Sequence, residues 1–105
     1  MTGEMVRADV TRETWPTHFA IADALGGTVE PFDQYQGPYI LIGNDIRAGA
    51  EPYVVAVRGL GVVRLWLCYD EGEFATVYNE ATNEQSEPFF EFDEMAAIEA
   101  ARSTL

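Results

Sequence analysis

The chain of 105 residues contains no lysine, one cysteine and one histidine. Six scattered arginines are its only strongly basic side chains, against 18 acidic ones. Affinity for nucleic acid depends mainly on basic side chains that neutralise phosphates, so the chain lacks the charge for direct binding to DNA or RNA. A single cysteine excludes both an internal disulfide and a cysteine-based metal cluster.

Long apolar runs are missing as well. Arginines and glycines interrupt the longest run before it reaches the roughly 18 apolar residues that a membrane-spanning helix needs. The first residues lack the basic segment followed by an apolar segment that is typical of a secretory signal. Together with the lone cysteine, these absences predict a cytoplasmic protein that does not contact a membrane.

The apolar content is nevertheless high enough for a folded protein. Apolar residues make up 48% of the chain, and 13 aromatic side chains are spread along it. A chain of this length forms one domain with one core, which we place at residues 1–105. Residues 1–10 are weakly patterned and predict either a loose arm or an edge strand.

The order of hydrophobic patterns predicts an α+β domain. An antiparallel sheet of about five strands is flanked by an N-terminal and a C-terminal helix, because the connections between the strands are too short for parallel crossovers. The predicted helices cover 11–25 and 93–104. The candidate strands are 28–32 at a sheet edge, 39–43, 52–58, 62–70, 74–78 and 88–92, with loops at 44–52 and 79–87.

Proline, glycine and helix-capping residues predict where these elements begin and end. Pro16 suits only a first helical turn, which favours Thr14 as the cap of the first helix, and Gly26 and Gly27 end it. Gly72 supplies the positive φ of a tight hairpin at 70–73. Asp93 caps the second helix. Its expected apolar side consists of Met95, Ile98, Ala101 and Leu105.

The most apolar stretch, residues 53–69, is predicted to form the centre of the sheet. Alternation along a strand places Leu65 and Leu67 on one face with Val63 and Tyr69. It places Arg64, Trp66 and Cys68 on the other face. Two helices cover one face of such a sheet, so we expect the other to stay open unless a partner or the curvature of the sheet covers it. Trp66 and Arg64 then offer a contact surface there.

No residue pattern in the chain indicates catalysis, a cofactor or a metal site. His18 lies between apolar helix positions and is expected to be a surface or half-buried residue with one hydrogen bond. Cys68 is expected to be a small core residue, since no cation or helix start near it in sequence would activate a thiol. The acids of the 70–73 turn are too few for a calcium loop. We therefore expect a protein that is not an enzyme.

Acidic residues are concentrated in the C-terminal part of the chain. Residues 65–105 hold ten acids and one arginine, whereas residues 1–64 hold eight acids and five arginines. One interpretation is a solvated surface that maintains solubility, another is adaptation to high salt, and a third is an interface for a basic partner. The predicted partner-binding residues are Asp70, Glu71, Glu73, Tyr78, Glu80, Glu84, Glu87, Glu91 and Trp66.

In size, acidity and lack of catalytic motifs, the chain resembles small phage-encoded inhibitors of bacterial defence, such as anti-CRISPR and anti-restriction proteins. The resemblance lies in the overall profile and rests on no motif, so it assigns no residue. It implies an inhibitor in the host cytoplasm that mimics nucleic acid and blocks the DNA- or RNA-binding surface of a basic protein. The alternatives are a homo-oligomeric accessory domain that pairs through the open sheet face, a nuclease immunity protein, and a small-ligand or enzymatic domain.

Overall fold

The computed structural model describes residues 10–31, 39–42, 45–48, 51–69 and 72–105, with only the backbone described between 39 and 48. It confirms the α+β class and the order of helix, strands and helix. Neither described helix is long and apolar enough to cross a membrane.

The helices are α1 (Pro16–Leu25) and α2 (Glu94–Ser103). The strands are β1 (Thr28–Glu30), β2 (Tyr39–Ile42), β3 (Asp45–Ala48), β4 (Tyr53–Arg58), β5 (Gly61–Tyr69), β6 (Phe74–Asn79), β7 (Glu84–Gln85) and β8 (Phe89–Phe90).

The main sheet is antiparallel throughout and has the order β1-β4-β5-β6-β7, with β8 also paired to β6. The predicted edge position of β1 is confirmed. Strands β2 and β3 form a separate two-stranded sheet, in which Ile42 pairs with Asp45. The prediction of a loop at 44–52 is therefore wrong for Asp45–Ala48. Only Gly43 and Asn44 separate the two strands, and such a dipeptide is itself a hairpin signal.

Helix α1 begins at Pro16, with Trp15 at the capping position and no side-chain cap. The prediction of Thr14 as the cap is wrong, because its hydroxyl is hydrogen-bonded within the preceding turn. The Thr11 N–H donates to Thr14 Oγ1 at 3.0 Å, and the Thr14 N–H donates to Thr11 Oγ1 at 3.2 Å. The predicted end is confirmed, since Gly26 adopts the left-handed conformation at φ 70°.

Gly27 is required for a different reason than Gly26. A Cβ atom at Gly27 would lie 1.9 Å from the carbonyl oxygen of Val55 in β4. The Gly27 N–H donates to the Ala22 carbonyl at 2.8 Å, which holds the chain in this close passage. The two glycines thus end the helix and let the chain enter β1 directly beside β4.

The core lies between the two helices and one face of the sheet, which we call the core face. Ile21 and Ala22 of α1 and Ala97 and Ala101 of α2 pack onto it. The buried sheet residues of this cluster are Val54, Ala56, Leu65, Leu67, Ala75, Val77 and Phe89.

The predicted apolar side of α2 is confirmed at Ala101, which is buried, and at Ile98 and Leu105, which pack against the core. The predicted cap is confirmed, because Asp93 Oδ1 accepts from the Ala96 N–H at 3.1 Å. Met95 is 70% exposed, so the expected apolar side is wrong at this position. The fully buried positions are Ala97 and Ala101, since small side chains let the helix approach the sheet more closely than methionine would.

Candidate functional site

The sheet face turned away from the helices, which we call the second face, has an aromatic centre. The rings of Tyr53 and Trp66 lie 4.8 Å apart, and Trp66 pairs directly across the strands with Tyr78. Trp66 is only 3% exposed. The expectation that this residue lies open on the second face is therefore wrong. Flanking tyrosines on both neighbouring strands pack against the indole, so the centre of the face is closed.

Glu80 is held in place by Trp66 of this aromatic centre and by Arg64 beside it. Trp66 Nε1 donates to Glu80 Oε1 at 3.0 Å, and an Arg64 guanidinium nitrogen lies 3.9 Å from Glu80 Oε2. The Arg64 guanidinium also lies over the Tyr53 ring, 5.4 Å from its centroid. The charge of Glu80 is thus partly balanced within the molecule. Of the predicted partner-binding acids that the structure describes, it is the one with an arginine within 4 Å.

The turn after β6 is anchored by a buried residue that the sequence analysis missed. Asn79 is fully buried, although residues 79–87 were expected to be a polar loop. Its Nδ2 donates to the Thr104 carbonyl at 2.9 Å, and its Oδ1 accepts from the N–H groups of Ala81 and Thr82. The only available signal was the tendency of asparagine to bond the backbone two residues later. That tendency does not reveal burial.

Beyond this turn, two acids lie on a fixed sheet edge. Glu84 in β7 pairs with Asn79, so part of the expected loop is a short strand. Next to it, the Ser86 N–H donates to the Val77 carbonyl, and Ser86 Oγ accepts from the Val77 N–H, both at 2.8 Å. The side chain of Ser86 therefore replaces a strand partner. Glu84 and Glu87, on either side of this clamp, are exposed.

At the other end of β6, a second pair of acids lies close together. The Glu91 N–H donates to the Glu73 carbonyl at 2.8 Å, and Thr17 Oγ1 of α1 donates to the Glu91 carbonyl at 3.3 Å. Gly72 in the preceding turn has φ 83°, which confirms its predicted conformation. Asp70 and Glu71, also predicted to bind a partner, lie outside the described residues.

These acids follow one edge of the sheet. The edge is formed by β7 and β8, which pair with β6. Strand β6 spans about 17 Å. Glu73 and Glu91 lie at the start of β6, Glu84 lies beside its end, and Glu87 lies in the connection between β7 and β8. Among the described residues of the C-terminal part, Glu80 and Glu99 each have an arginine within 4 Å. None of these four acids does within the described ranges. We call Glu73, Glu84, Glu87 and Glu91 the acidic edge.

His18 and Cys68 lie on opposite sides of the sheet and do not form a dyad. His18 is 1% exposed within α1, on the side that packs against the core, and meets Trp15 edge-on at 5.3 Å. The expectation of a surface or half-buried histidine is wrong, because the buried side of α1 runs through His18, Ile21 and Ala22. Cys68 is buried on the second face. Across the described ranges, no three His, Cys, Asp or Glu residues are grouped so that they could hold a metal ion.

A small cleft and a row of exposed rings lie near Glu91. The cleft has a volume of about 280 Å³, just below the roughly 300 Å³ at which small-molecule pockets begin. The residues that line it are Thr14, Trp15, Pro16, Thr17, His18, Tyr69, Glu91 and Phe92. Phe92 also contacts Phe90, which contacts Phe74.

Comparison of the chain with protein-family models, with curated proteins and with solved structures found no match. A function therefore has to be inferred from this geometry alone.

Proposed function

We propose that the protein is a non-enzymatic acidic inhibitor. It binds a basic nucleic-acid-handling protein in the host cytoplasm and blocks the surface that holds DNA or RNA, in the manner of phage anti-CRISPR or anti-restriction proteins. The observation that carries this proposal is the acidic edge, where three exposed glutamates and the half-buried Glu91 follow about 17 Å of sheet with no arginine within 4 Å among the described residues.

The acidic edge suits a groove that evolved for phosphates because its backbone is held in place and its carboxylates have no arginine within 4 Å in the part of the chain that the structure describes. DNA presents one phosphate for every ~3.4 Å along each strand, so a basic groove expects a row of negative charges. The backbone of the edge is held by the Ser86 clamp and by the bond between Glu91 and Glu73. Little backbone ordering is then needed on binding, and complementary charge speeds the encounter with a basic partner.

The alternative of a homo-oligomer that pairs through an open sheet face receives less support. The centre of the second face is closed around Trp66, which leaves only its ends exposed. Two copies would also bring together chains of net charge -12. A nuclease immunity protein remains a special case of the proposed function, in which the basic partner is a nuclease.

Charge reversal on the acidic edge tests the proposal. The tagged protein is used to capture its partner from a lysate of the native host, and the affinity for the isolated partner is then measured across a salt series. We expect Glu84→Arg with Glu87→Arg to weaken binding at least tenfold and to make the dependence on salt shallower, because fewer ion contacts remain to be screened. A DNA duplex should displace the wild-type protein from the partner.

The matched control is Glu13→Arg with Glu30→Arg, which changes the net charge by the same amount on the other half of the chain. We expect this pair to alter the affinity less than threefold. An equal loss in both double variants would show that net charge decides binding and not the acidic edge. Unchanged affinity in the edge variant, or a partner that does not handle nucleic acid, would contradict the proposed function.

A further inference from the structure

Three phenylalanines form a row of exposed rings at one end of the sheet. Phe74 is 51% exposed, Phe90 is 42% exposed and Phe92 is 70% exposed. Their rings meet edge to face, with centroids 6.4 Å apart between Phe74 and Phe90 and 5.7 Å apart between Phe90 and Phe92. Single exposed apolar residues need no explanation, but a contiguous apolar patch indicates a binding surface. We call these three residues the aromatic row.

The aromatic row leads around the end of the sheet into the cleft. Phe74 and Phe90 are cross-strand partners on the second face. Phe92 lines the cleft together with Tyr69, whose side of β5 is the core face, and with Trp15 at the start of α1. The surface is therefore continuous from the second face to a hollow of about 280 Å³. A hollow of that size admits one large apolar side chain.

Acidic residues adjoin this apolar surface along the chain. Glu73 precedes Phe74 in the turn, Glu91 separates Phe90 from Phe92, and Asp93 and Glu94 follow directly. The sequence contains no basic residue from 65 to 101. An apolar surface with a rim of this kind complements a segment in which a large apolar side chain is flanked by arginine or lysine.

The opposite end of the second face carries another apolar patch. Val57 and Val62 face each other across β4 and β5, Leu60 lies in the turn between them, and all three are exposed. Arg64 lies on the same face and is paired with Glu80, whereas Arg58 alternates with Val57 and lies on the other side of β4. The sequence contains no acid from residue 52 to residue 69, so this patch is the control surface. A second copy of the chain is disfavoured at the aromatic row, because two acidic rims would then meet.

We propose that the aromatic row and the cleft beside Phe92 dock a basic protein segment, with one large apolar side chain of that segment inserted into the cleft. The inference rests on the proposed function in one respect, the existence of a basic protein partner. It adds that apolar burial anchors the contact, while the acids steer the encounter and select the flanking residues. Interfaces commonly draw most of their affinity from such an anchor in a pocket.

The test uses two synthetic 12-residue peptides with alternating arginine and serine, one of which carries a central tryptophan where the other carries serine. Each peptide is titrated into the full ¹⁵N-labelled chain. We expect the tryptophan peptide to bind about tenfold more tightly, with the largest amide shifts at Phe74, Phe90 and Phe92. Phe92→Ser should remove this difference between the peptides, whereas Leu60→Ser on the control surface should preserve it. Both side chains are exposed, so neither variant should impair folding.

Equal affinity of the two peptides for the wild-type protein would overturn the inference, and so would shifts confined to the patch around Leu60. The proposed function is tested separately, because loss of affinity for the isolated partner in the Glu84→Arg and Glu87→Arg variant does not depend on the tryptophan. Sedimentation velocity adds a further outcome. A dimer that Phe92→Ser dissociates would assign the aromatic row to a second copy and would also overturn the inference.

Discussion

The two faces of the sheet differ in chemistry and in exposure, although the same strands build both. On the core face, aliphatic residues such as Leu65 and Leu67 are fully buried beneath the helices. On the second face, Trp66 closes the centre, and exposed rings such as Phe74 and Phe90 lie at one end. Alternate residues of the same strands are thus divided between a packed core and a face that is exposed at its ends.

The difference follows from what covers each face. A face that packs against helices has to match their surface closely, and branched aliphatic and small side chains do this with few voids. At the uncovered end of the second face, the aromatic rings leave large apolar surfaces exposed. Substitutions on the core face should therefore change the free energy of unfolding, and those at the ends of the second face should change binding.

The largest expected effect is on the core face. Leu67→Ala removes a fully buried side chain beneath the helices, and we expect it to lower the free energy of unfolding by about 3 kcal/mol. Val62→Ala on the second face of the same strand is the matched control, with an expected loss below about 0.5 kcal/mol. Urea unfolding measures both. Similar losses in the two variants would break the comparison between the faces.

The next effect concerns the buried polar anchor of the core face. Asn79→Ala removes hydrogen bonds to Thr104, Ala81 and Thr82, and we expect a loss of about 2 kcal/mol. Hydrogen exchange should accelerate at the amides of Ala81 and Thr82. The Glu91 amide, bonded to Glu73 at the other end of β6, should exchange unchanged. Uniform acceleration at both ends would show that Asn79 acts on the whole fold.

A smaller effect is expected at the closed centre of the second face. Trp66→Phe removes the bond from the indole to Glu80 and part of the ring contact with Tyr53, and we expect a loss of about 1 kcal/mol. Glu80→Gln is the matched control. It keeps an acceptor for the indole and removes only the exposed ion pair with Arg64, so thermal unfolding should shift less. A larger loss in Glu80→Gln would place the stabilisation in the ion pair.

The smallest effect on stability should come from an ion pair that lies on neither face of the sheet. Arg12 and Asp23 form an exposed ion pair at 2.7 Å, and the hydrogen bond from Arg12 lowers the pKa of Asp23. A lowered pKa in the folded state stabilises the protein above the unfolded pKa, and this contribution disappears as the pH falls through the folded pKa. Asp23→Asn should thus melt slightly lower than the wild type at pH 7 and equally at about pH 2. A constant difference across this range would rule out the ionised pair as its source.

Local patterns in the chain predicted much of the fold. Gly26 ended a helix and Gly72 adopted a positive φ as expected, and Asp93 capped α2. The errors at Thr14 and Met95 share one cause. Each assignment used a local sequence signal, whereas the outcome depended on contacts that the signal does not show: Thr14 bonds Thr11, and α2 packs on the sheet through positions that leave Met95 exposed.

The candidate site was less predictable than the fold. The concentration of acids from 65 to 105 is visible in the composition, but the exposure of Phe92 beside a cleft is not. The cleft joins the start of α1 to residues that are more than 50 positions away. The aromatic row likewise needs the pairing of Phe74 with Phe90. Short-range patterns cannot supply either contact, because both depend on how distant elements pack.

The sequence by itself determined the antiparallel α+β order and the segregation of acids into the C-terminal part. Both follow from chain-local causes, namely the alternation of side chains along a strand and the covalent order of the charges. Only the tertiary structure decided that Glu80 is balanced by Arg64 while Glu84 and Glu87 lie on an edge with no arginine within 4 Å among the described residues. It also decided that Trp66 is covered and Phe92 is not, because burial depends on which distant side chains meet.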